Sequence, residues 1–397
     1  MRTSPIYHGL ILNFHQPPGN LDFLLDEEEW EAKQILWAMD KMPRALWDVA
    51  DVARVHLALS GTLLETISDP VFQGRVYGTT KLGDMLWHYQ NEKIFNVFGT
   101  GYYHPVFALI PPADWEAHIE RWLGIGRHLF WRSNFGGFWP PEMGFCMEMI
   151  PVLRRFGFRY VMVDSNYVKP VDGEMRWDEL RYRPHLARYG GEEITVVVRD
   201  RELSDAQESG MDFGWFEKEL RERTQHCDYE PLVVTATDGD NGGWFRNTDE
   251  HSNFWDSFYR PFIDRVHREE TNIVPTFIDD YLDRNPAETY VEVETGAWNT
   301  GWHHGRGFVQ WTGSDLQKAA LKRIHDFSER FHDHVAALAD SGRKAALDEA
   351  ALEEVRWRLL RAETSCNLYW GEAWVSRIHG DLDEAETRLQ VLRDQRS

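Results

Sequence analysis

Hydrophobic and polar positions along the chain fall into a repeating order of short apolar runs, polar loops and longer amphipathic stretches. Ile6 to Phe14 is a nearly continuous apolar run and predicts a buried strand. Glu27 to Val52 carries a helical, partly acidic pattern that would bring the chain back under a sheet. Arg54 to Leu59 predicts a second strand and Phe95 to Phe98 a third. Asp114 to Phe130 has helical periodicity and begins with Pro111-Pro112-Ala113-Asp114, an N-cap region. Gly136-Gly137 reads as a turn into a short strand, Phe138-Trp139, and a helix is expected from near Met147 to about Phe156. Tyr160 to Val163, Ile194 to Val198 and Pro231 to Thr235 add strands. After Ser314, a helical cap, the chain turns Ala- and Leu-rich with charged faces, which predicts a helical bundle.

The order strand, polar loop, helix predicts an α/β fold of parallel strands with right-handed crossovers, closed or nearly closed into a barrel. The expected boundaries are a catalytic barrel over residues 1–310 and a C-terminal helical bundle over 311–397. Within the bundle, Glu363 to Gly371 breaks the amphipathic rhythm with polar and aromatic residues. Such a patch suggests that the bundle folds back on the barrel mouth. There is no internal repeat, low-complexity tract or linker.

Charge narrows the partners. Lys and Arg number 43 against 65 Asp and Glu, a net charge of −22, which should repel phosphate backbones and anionic membranes. Nucleic acid is set aside on that ground. No apolar run approaches the roughly 18 residues needed to cross a bilayer. The 18 Trp exceed what a core of this size needs and suggest a ring-lined groove of the kind sugars occupy. Cys146, Cys227 and Cys366 show neither paired metal spacing nor a disulfide framework. They read as reduced thiols, and with no signal-peptide pattern at the N-terminus the expected location is cytoplasmic.

The chemistry concentrates in loops past the strands, where α/β barrels place their sites. In Gly136-Gly137-Phe138-Trp139-Pro140-Pro141-Glu142-Met143-Gly144-Phe145, two prolines stiffen the approach to one carboxylate. A stiffly held carboxylate near an aromatic plate, Trp139, suits a nucleophile acting on a carbohydrate. The alternative is a turn whose Glu142 caps the helix near Met147. Past Thr235, Asp238-Gly239-Asp240-Asn241-Gly242-Gly243-Trp244 brings two carboxylates and a Trp together, or forms a plain turn or metal loop. Ligands for a calcium loop are too few, and adjacent His303-His304 rarely both face one ion. His15 and His104 could hydrogen-bond sugar hydroxyls, and Trp139 and Trp244 could stack on ring faces.

Five stretches, in order from residue 13 to about 370, together resemble glycoside hydrolase family 57, the retaining α-glucan-active enzymes. They are Phe14-His15-Gln16-Pro17, Gly61-Thr62-Leu63-Leu64-Glu65, Trp139-Pro140-Pro141-Glu142, Asp238-Gly239-Asp240 and Ala362-Glu363-Thr364-Ser365-Cys366-Asn367. The resemblance implies an incomplete (β/α)7 barrel with a C-terminal α-helical region and double-displacement chemistry. It also implies that neither metal nor cofactor is needed. Glu142 would be the nucleophile and Asp238 the acid/base. Substrate would be held by His15, Gln16, Glu65, His104, Trp139, Asp240, Trp244 and Trp370. A retaining pair should stand about 5–5.5 Å apart, with the acid's pKa raised. Three features depart from the family pattern: Asn13 stands where many members carry a His, Asp240 where a Glu is frequent, and no β-rich C-terminal domain follows the helices. The expected activity is hydrolysis of starch, glycogen or maltooligosaccharides, of the α-amylase or amylopullulanase kind. The alternatives are 4-α-glucanotransferase, a metal-dependent carbohydrate deacetylase, or a glucan-binding protein without catalysis.

Overall fold

The computed structural model describes residues 4–249, 252–298, 307–340 and 346–394. The chain forms two compact units. One comprises Met1–Thr100, Trp122–Trp139 and Met147–Glu294, and the other Gly101–Arg121, Pro140–Cys146 and Thr295–Ser397.

The first unit is built on a nine-stranded sheet of β1 (Ile6–Phe14), β2 (Val55–Leu59), β3 (Phe95–Phe98), β4 (Gly137–Phe138), β5 (Tyr160–Asp164), β7 (His185–Tyr189), β8 (Glu192–Arg199), β9 (Leu232–Asp238) and β10 (Ile273–Pro275), and β6 (Val168–Pro170) pairs with β11 (Val291–Val293) in a separate two-stranded sheet. Seven strands of the larger sheet run parallel in the order β3-β2-β1-β9-β8-β5-β4. The two ends of that order meet at a parallel bridge between Gly99 and Phe138. There Gly99 N–H donates to Gly137 O at 3.0 Å and Trp139 N–H to Gly99 O at 2.8 Å, which curls the sheet on itself. β1 is buried on both faces, which is why its sequence is a nearly continuous apolar run, interrupted at His8 and Asn13, and not an alternation.

The ring is thin between β8 and β9, which share the single pair Arg199–Val234. Backbone groups that a full ladder would pair are met by side chains instead: Ser204 Oγ accepts from Ala236 N–H at 3.0 Å, and Arg199 Nε donates to Ala236 O at 2.8 Å. The seven-stranded, nearly closed parallel barrel expected from the sequence is therefore present. Some elements differ. Strand β9 continues to Asp238, past the expected end at Thr235, because its register with β1 holds from Tyr7–Leu232 to Asn13–Asp238. The helical segment expected over 27–52 is the helix Glu29–Leu46, and a separate helix, Asn20–Glu27, precedes it. The sequence did not signal antiparallel β7 on β8, β10 on the start of β1, or the β6–β11 pair.

The second unit is largely helical, with long helices over Asp315–Asp340, Ala346–Ala362 and Glu372–Asp394. Ser314 opens the first with a capping box: Gln317 N–H donates to Ser314 Oγ at 3.1 Å, and Ser314 N–H to Gln317 Oε1 at 2.8 Å. Ile378, Leu382, Ala385 and Leu389 recur every three or four residues and bury one stripe of the last helix against Phe327, Phe331 and Leu359. None of the three cysteines is in a disulfide. No helix among the described residues is long and apolar enough to cross a membrane.

Candidate active site

Two buried carboxylate clusters carry the polar motifs, one in each unit. The first lies at the C-terminal ends of β1 and β9. Asn13 and Asp238 are register partners, so their side chains leave the sheet on the same face, and Asn13 Nδ2 donates to Asp238 Oδ1 at 2.8 Å. The chain turns directly after Asp238, where Gly239 N–H donates to Asn13 O at 2.8 Å. A Cβ on Gly239 would stand 2.4 Å from the Phe14 ring, so only glycine lets the two strand ends approach this closely. Gln16 Nε2 then reaches Asp240 Oδ2 at 2.8 Å, and Asn20 Nδ2 holds Gln16 Oε1 at 2.9 Å. Burial pushes the Asp240 carboxyl up to about 6, against the opposing pull of the Gln16 hydrogen bond and the Arg246 charge.

His15 joins the edge of this cluster through Ser60. Its Nδ1 lies 2.9 Å from Ser60 Oγ, which also caps the helix Gly61–Ser68 by accepting from Leu63 N–H. Thr62 Oγ1 donates to Gln16 O at 2.8 Å, tying that helix start to the β1 loop. Glu65, on the same helix, is exposed. Trp244 is half-buried on the short helix Gly242–Arg246, with its ring 6.5 Å from Phe254. Trp139, at the end of β4, is fully buried, and its carbonyl accepts from Thr100 Oγ1 at 2.8 Å.

The second cluster surrounds Glu142 and is made from four loops. Pro141–Met143 form one 3-10 turn in which Glu142 has φ 57° and ψ 15°. His104 and Met143 also have positive φ, so three of the five such non-glycine residues among those described lie here. Backbone in that region costs on the order of 1–3 kcal/mol per residue and persists only where the surroundings impose it. They do. Trp298 N–H donates to Glu142 O at 2.9 Å, and Phe145 bridges Gly296. A Cβ on Gly144 would lie 2.6 Å from Val106, so the 140–146 and 101–107 loops pack without room for a side chain. Pro105 bridges Thr364, and Ser365 N–H donates to His104 O at 3.1 Å. Glu363, beside that bridge, has its Oε2 2.8 Å from His118 Nε2, with both side chains buried.

The result is a carboxylate with both oxygens engaged. Trp298 Nε1 donates to Glu142 Oε2 at 3.0 Å, and Ser365 Oγ donates to Oε1 at 2.9 Å. Since the serine hydroxyl has one proton and gives it to Glu142, the 3.1 Å contact from His104 Nδ1 to Ser365 Oγ requires the Nδ1–H tautomer. Burial pulls the His104 imidazole down to about 3, so its 3.5 Å approach to Glu142 is that of a neutral ring. Burial raises the Glu142 pKa, and the Trp298 and Ser365 donors oppose that rise. Glu142 therefore does not serve as a helix cap. Trp370, also in this unit, is exposed beside Tyr369, with ring centroids 5.0 Å apart.

The sequence did not mark Asn13, Trp298 and Ser365 as carboxylate partners. Asn13 was visible as a departure from the family pattern, and Ser365 and Trp298 lie in stretches notable for their polar and aromatic content. No three His, Cys, Asp or Glu side chains among the described residues converge as metal ligands. His303-His304 lies outside the described residues.

A nearly closed parallel barrel with buried carboxylates past its C-terminal strand ends has the arrangement of an α/β-barrel enzyme. The profile of glycosyl hydrolase family 57 matches residues 21–294, and the chain belongs to that family. A 4-alpha-glucanotransferase of Thermococcus kodakarensis is 26% identical over 275 residues, which is 68% of this chain and 38% of that protein. An alpha-amylase of Pyrococcus abyssi is 25% identical over 194 residues, 48% of this chain and 26% of its own length. The chain thus spans well under half the length of these relatives. Among solved structures, an alpha-amylase from Thermotoga maritima matches with a TM-score of 0.74 at 13% identity, covering 99% of this chain and 94% of that one. A 4-alpha-glucanotransferase from Thermococcus litoralis matches at 0.69 and 20% identity, over 98% of this chain and 60% of that one.

Proposed function

We propose that the protein cleaves α-glucans by a retaining double displacement, with Glu142 as nucleophile and Asp238 as acid/base. The observation that carries this reading is the setting of Glu142. Its carboxylate is fixed by two neutral donors on a strained, over-determined loop, so both its position and its ionisation are controlled.

In the first step Glu142 forms an ester bond to the anomeric carbon while the glycosidic bond breaks, and Asp238 gives its proton to the departing oxygen. In the second, Asp238 takes a proton from the incoming hydroxyl, whose oxygen attacks the anomeric carbon and releases Glu142. Water as acceptor gives hydrolysis, and a sugar hydroxyl gives transfer. In this reading Asp240 and Gln16 bind hydroxyls beside Asp238, with His15, His104, Trp244 and Trp370 as further sugar contacts. A reducing, cytoplasmic setting accords with three cysteines that form no disulfide.

Hydrolysis of starch-like chains is the primary reading. Transfer is the second, favoured by the 4-alpha-glucanotransferase among the relatives. Product analysis with maltoheptaose separates them: shorter sugars alone mean hydrolysis, whereas longer sugars alongside shorter ones mean transfer. Trapping with 5-fluoro-α-glucosyl fluoride should add one glycosyl mass to the peptide holding Glu142. Label on another peptide, or β-anomer as first product, would remove the assignment.

A further inference from the structure

The N-terminal ends of the barrel strands carry a second concentration of aromatic side chains, away from the strand ends that bear Asp238. Trp47 follows the helix Glu29–Leu46, Trp87 lies near the end of Leu82–Tyr89, and Trp131 follows Trp115–Phe130. Their side chains are 69%, 67% and 81% exposed. All three line one groove of about 510 Å³, together with His88, Gln90 and Asn91. A second groove of about 490 Å³ shares Trp131 and Phe95 with the first and adds Asn96, Ser133, Asn134 and Asp280. Each volume falls in the range of about 300–1,000 Å³ typical of ligand sites.

Trp131 is held out deliberately. Its backbone has φ 52°, a conformation that bulky residues rarely adopt. The next residue anchors it, with Arg132 Nη2 donating to Phe95 O at 3.0 Å and Nε 2.9 Å from Glu92. Trp131 directly follows the last turn of the helix Trp115–Phe130, so the left-handed backbone ends that helix and leaves the indole exposed between the two grooves.

We propose that this face binds a neutral α-glucan chain at a surface site separate from the reaction centre. The identity of the polymer rests on the proposed function. Flat indole faces cover the apolar faces of sugar rings, and Gln90, Asn91, Asn96, Ser133 and Asn134 supply uncharged hydrogen-bonding groups for hydroxyls. The charged groups of the second groove are Glu92, Asp279, Asp280 and Arg132, with Arg132 ion-paired to Glu92, and a chain of net charge −22 repels both phosphate ligands and a second copy of itself. A neutral polyhydroxyl chain is the ligand complementary to that lining.

The test is native affinity electrophoresis of the full chain in gels with glycogen, and with hydroxyethyl cellulose as control, for wild type, Trp131→Asn and Trp47→Ala. Asparagine tolerates the left-handed backbone, so Trp131→Asn removes the ring without adding strain. Both variants should lose roughly fivefold or more in apparent affinity for glycogen, the scale of a truncated tryptophan anchor, and turn over maltoheptaose at the wild-type rate. Wild-type maltoheptaose turnover separately reports on the proposed reaction, so failure of that reading is seen apart from failure of this one. Unchanged glycogen retention in both variants overturns the proposal. So does sedimentation showing a wild-type dimer that Trp131→Asn dissociates, because the face would then join two copies of the chain.

Discussion

Glu142 and Asp238 are both held by neutral hydrogen-bond donors, yet they are positioned by opposite means. Asp238 is the last residue of a regular strand, and Asn13 stands across from it in register. Glu142 sits on a turn of left-handed backbone and draws Trp298 and Ser365 from 156 and 223 residues away. A strand end fixes a side chain through the ladder that makes the sheet. Among the described residues the Glu142 loop is held by other loops, through the Phe145–Gly296 bridge, the Trp298 N–H bond to Glu142 O and a glycine that admits no side chain. Substitutions at the Glu142 partners should therefore change its chemistry directly, whereas those around Asp238 and Asp240 should show partly in the stability of the barrel.

The largest effects test the two roles. Glu142→Gln keeps the shape and removes the attacking charge, so turnover should fall by about 10³-fold or more while glucan binding survives. A variant keeping a tenth of the rate would break the comparison at its first term. Asp238→Asn removes the proton donor. Its loss on maltoheptaose should reach about 10²–10⁴-fold, the usual range for general acid–base catalysis. On α-maltosyl fluoride, whose leaving group needs little protonation, the first step should be nearly unaffected. Equal losses on both substrates would show that Asp238 does not act as the acid.

The two clusters also differ in how far the sequence reveals them. Parallel strands buried on both faces leave continuous apolar runs, so β1, β2, β3 and β5 could be read within a residue or so. Strand β9 runs past its apolar stretch through Ala236-Thr237-Asp238 because these residues pair with Ile11-Leu12-Asn13 of β1, which residue type alone does not signal. Short elements such as β10 and β11, three residues each, have no period to detect. Glu142 and Asp238 stood out by their glycine, proline and aromatic neighbours. Their partners did not, since Ser365 or Trp298 becomes a carboxylate donor only through loop contacts across the chain. The burial of Trp139 and exposure of Glu65 are equally matters of packing, invisible in residue type.

A smaller effect sharpens the Glu142 side. Ser365 Oγ donates to the ionised carboxylate and so lowers its pKa against the upward push of burial. Ser365→Ala removes that donor and raises the pKa further. A hydrogen bond to a charged group contributes about 1.5–3 kcal/mol, so the acidic limb of kcat/KM should move to higher pH by about one to two units. Ser365→Thr restores a hydroxyl and should return the limb toward the wild-type position. An unmoved limb in Ser365→Ala would mean that Glu142 ionisation does not set it.

The smallest effect concerns Asp240, and it is read in stability. Burial raises its carboxyl from the ordinary 3.8 to about 6, so the folded protein favours the protonated form. Below pH 4 the group is protonated in both folded and unfolded chains. Between about pH 4 and pH 6 the unfolded chain releases this proton while the folded one retains it, and stability falls as pH rises through that window. Above it the loss is complete, about 3 kcal/mol for a shift of this size. Asp240→Asn cannot ionise, and its amide oxygen can still accept from Gln16. The variant should match the wild type in urea unfolding near pH 4 and exceed it by up to about 3 kcal/mol at pH 7. The gain should grow between those limits and level off above pH 6. If the difference stays flat from pH 4 to pH 7, Asp240 ionises as readily folded as unfolded. The contrast would then narrow to Glu142 alone as the carboxylate whose charge the fold restrains.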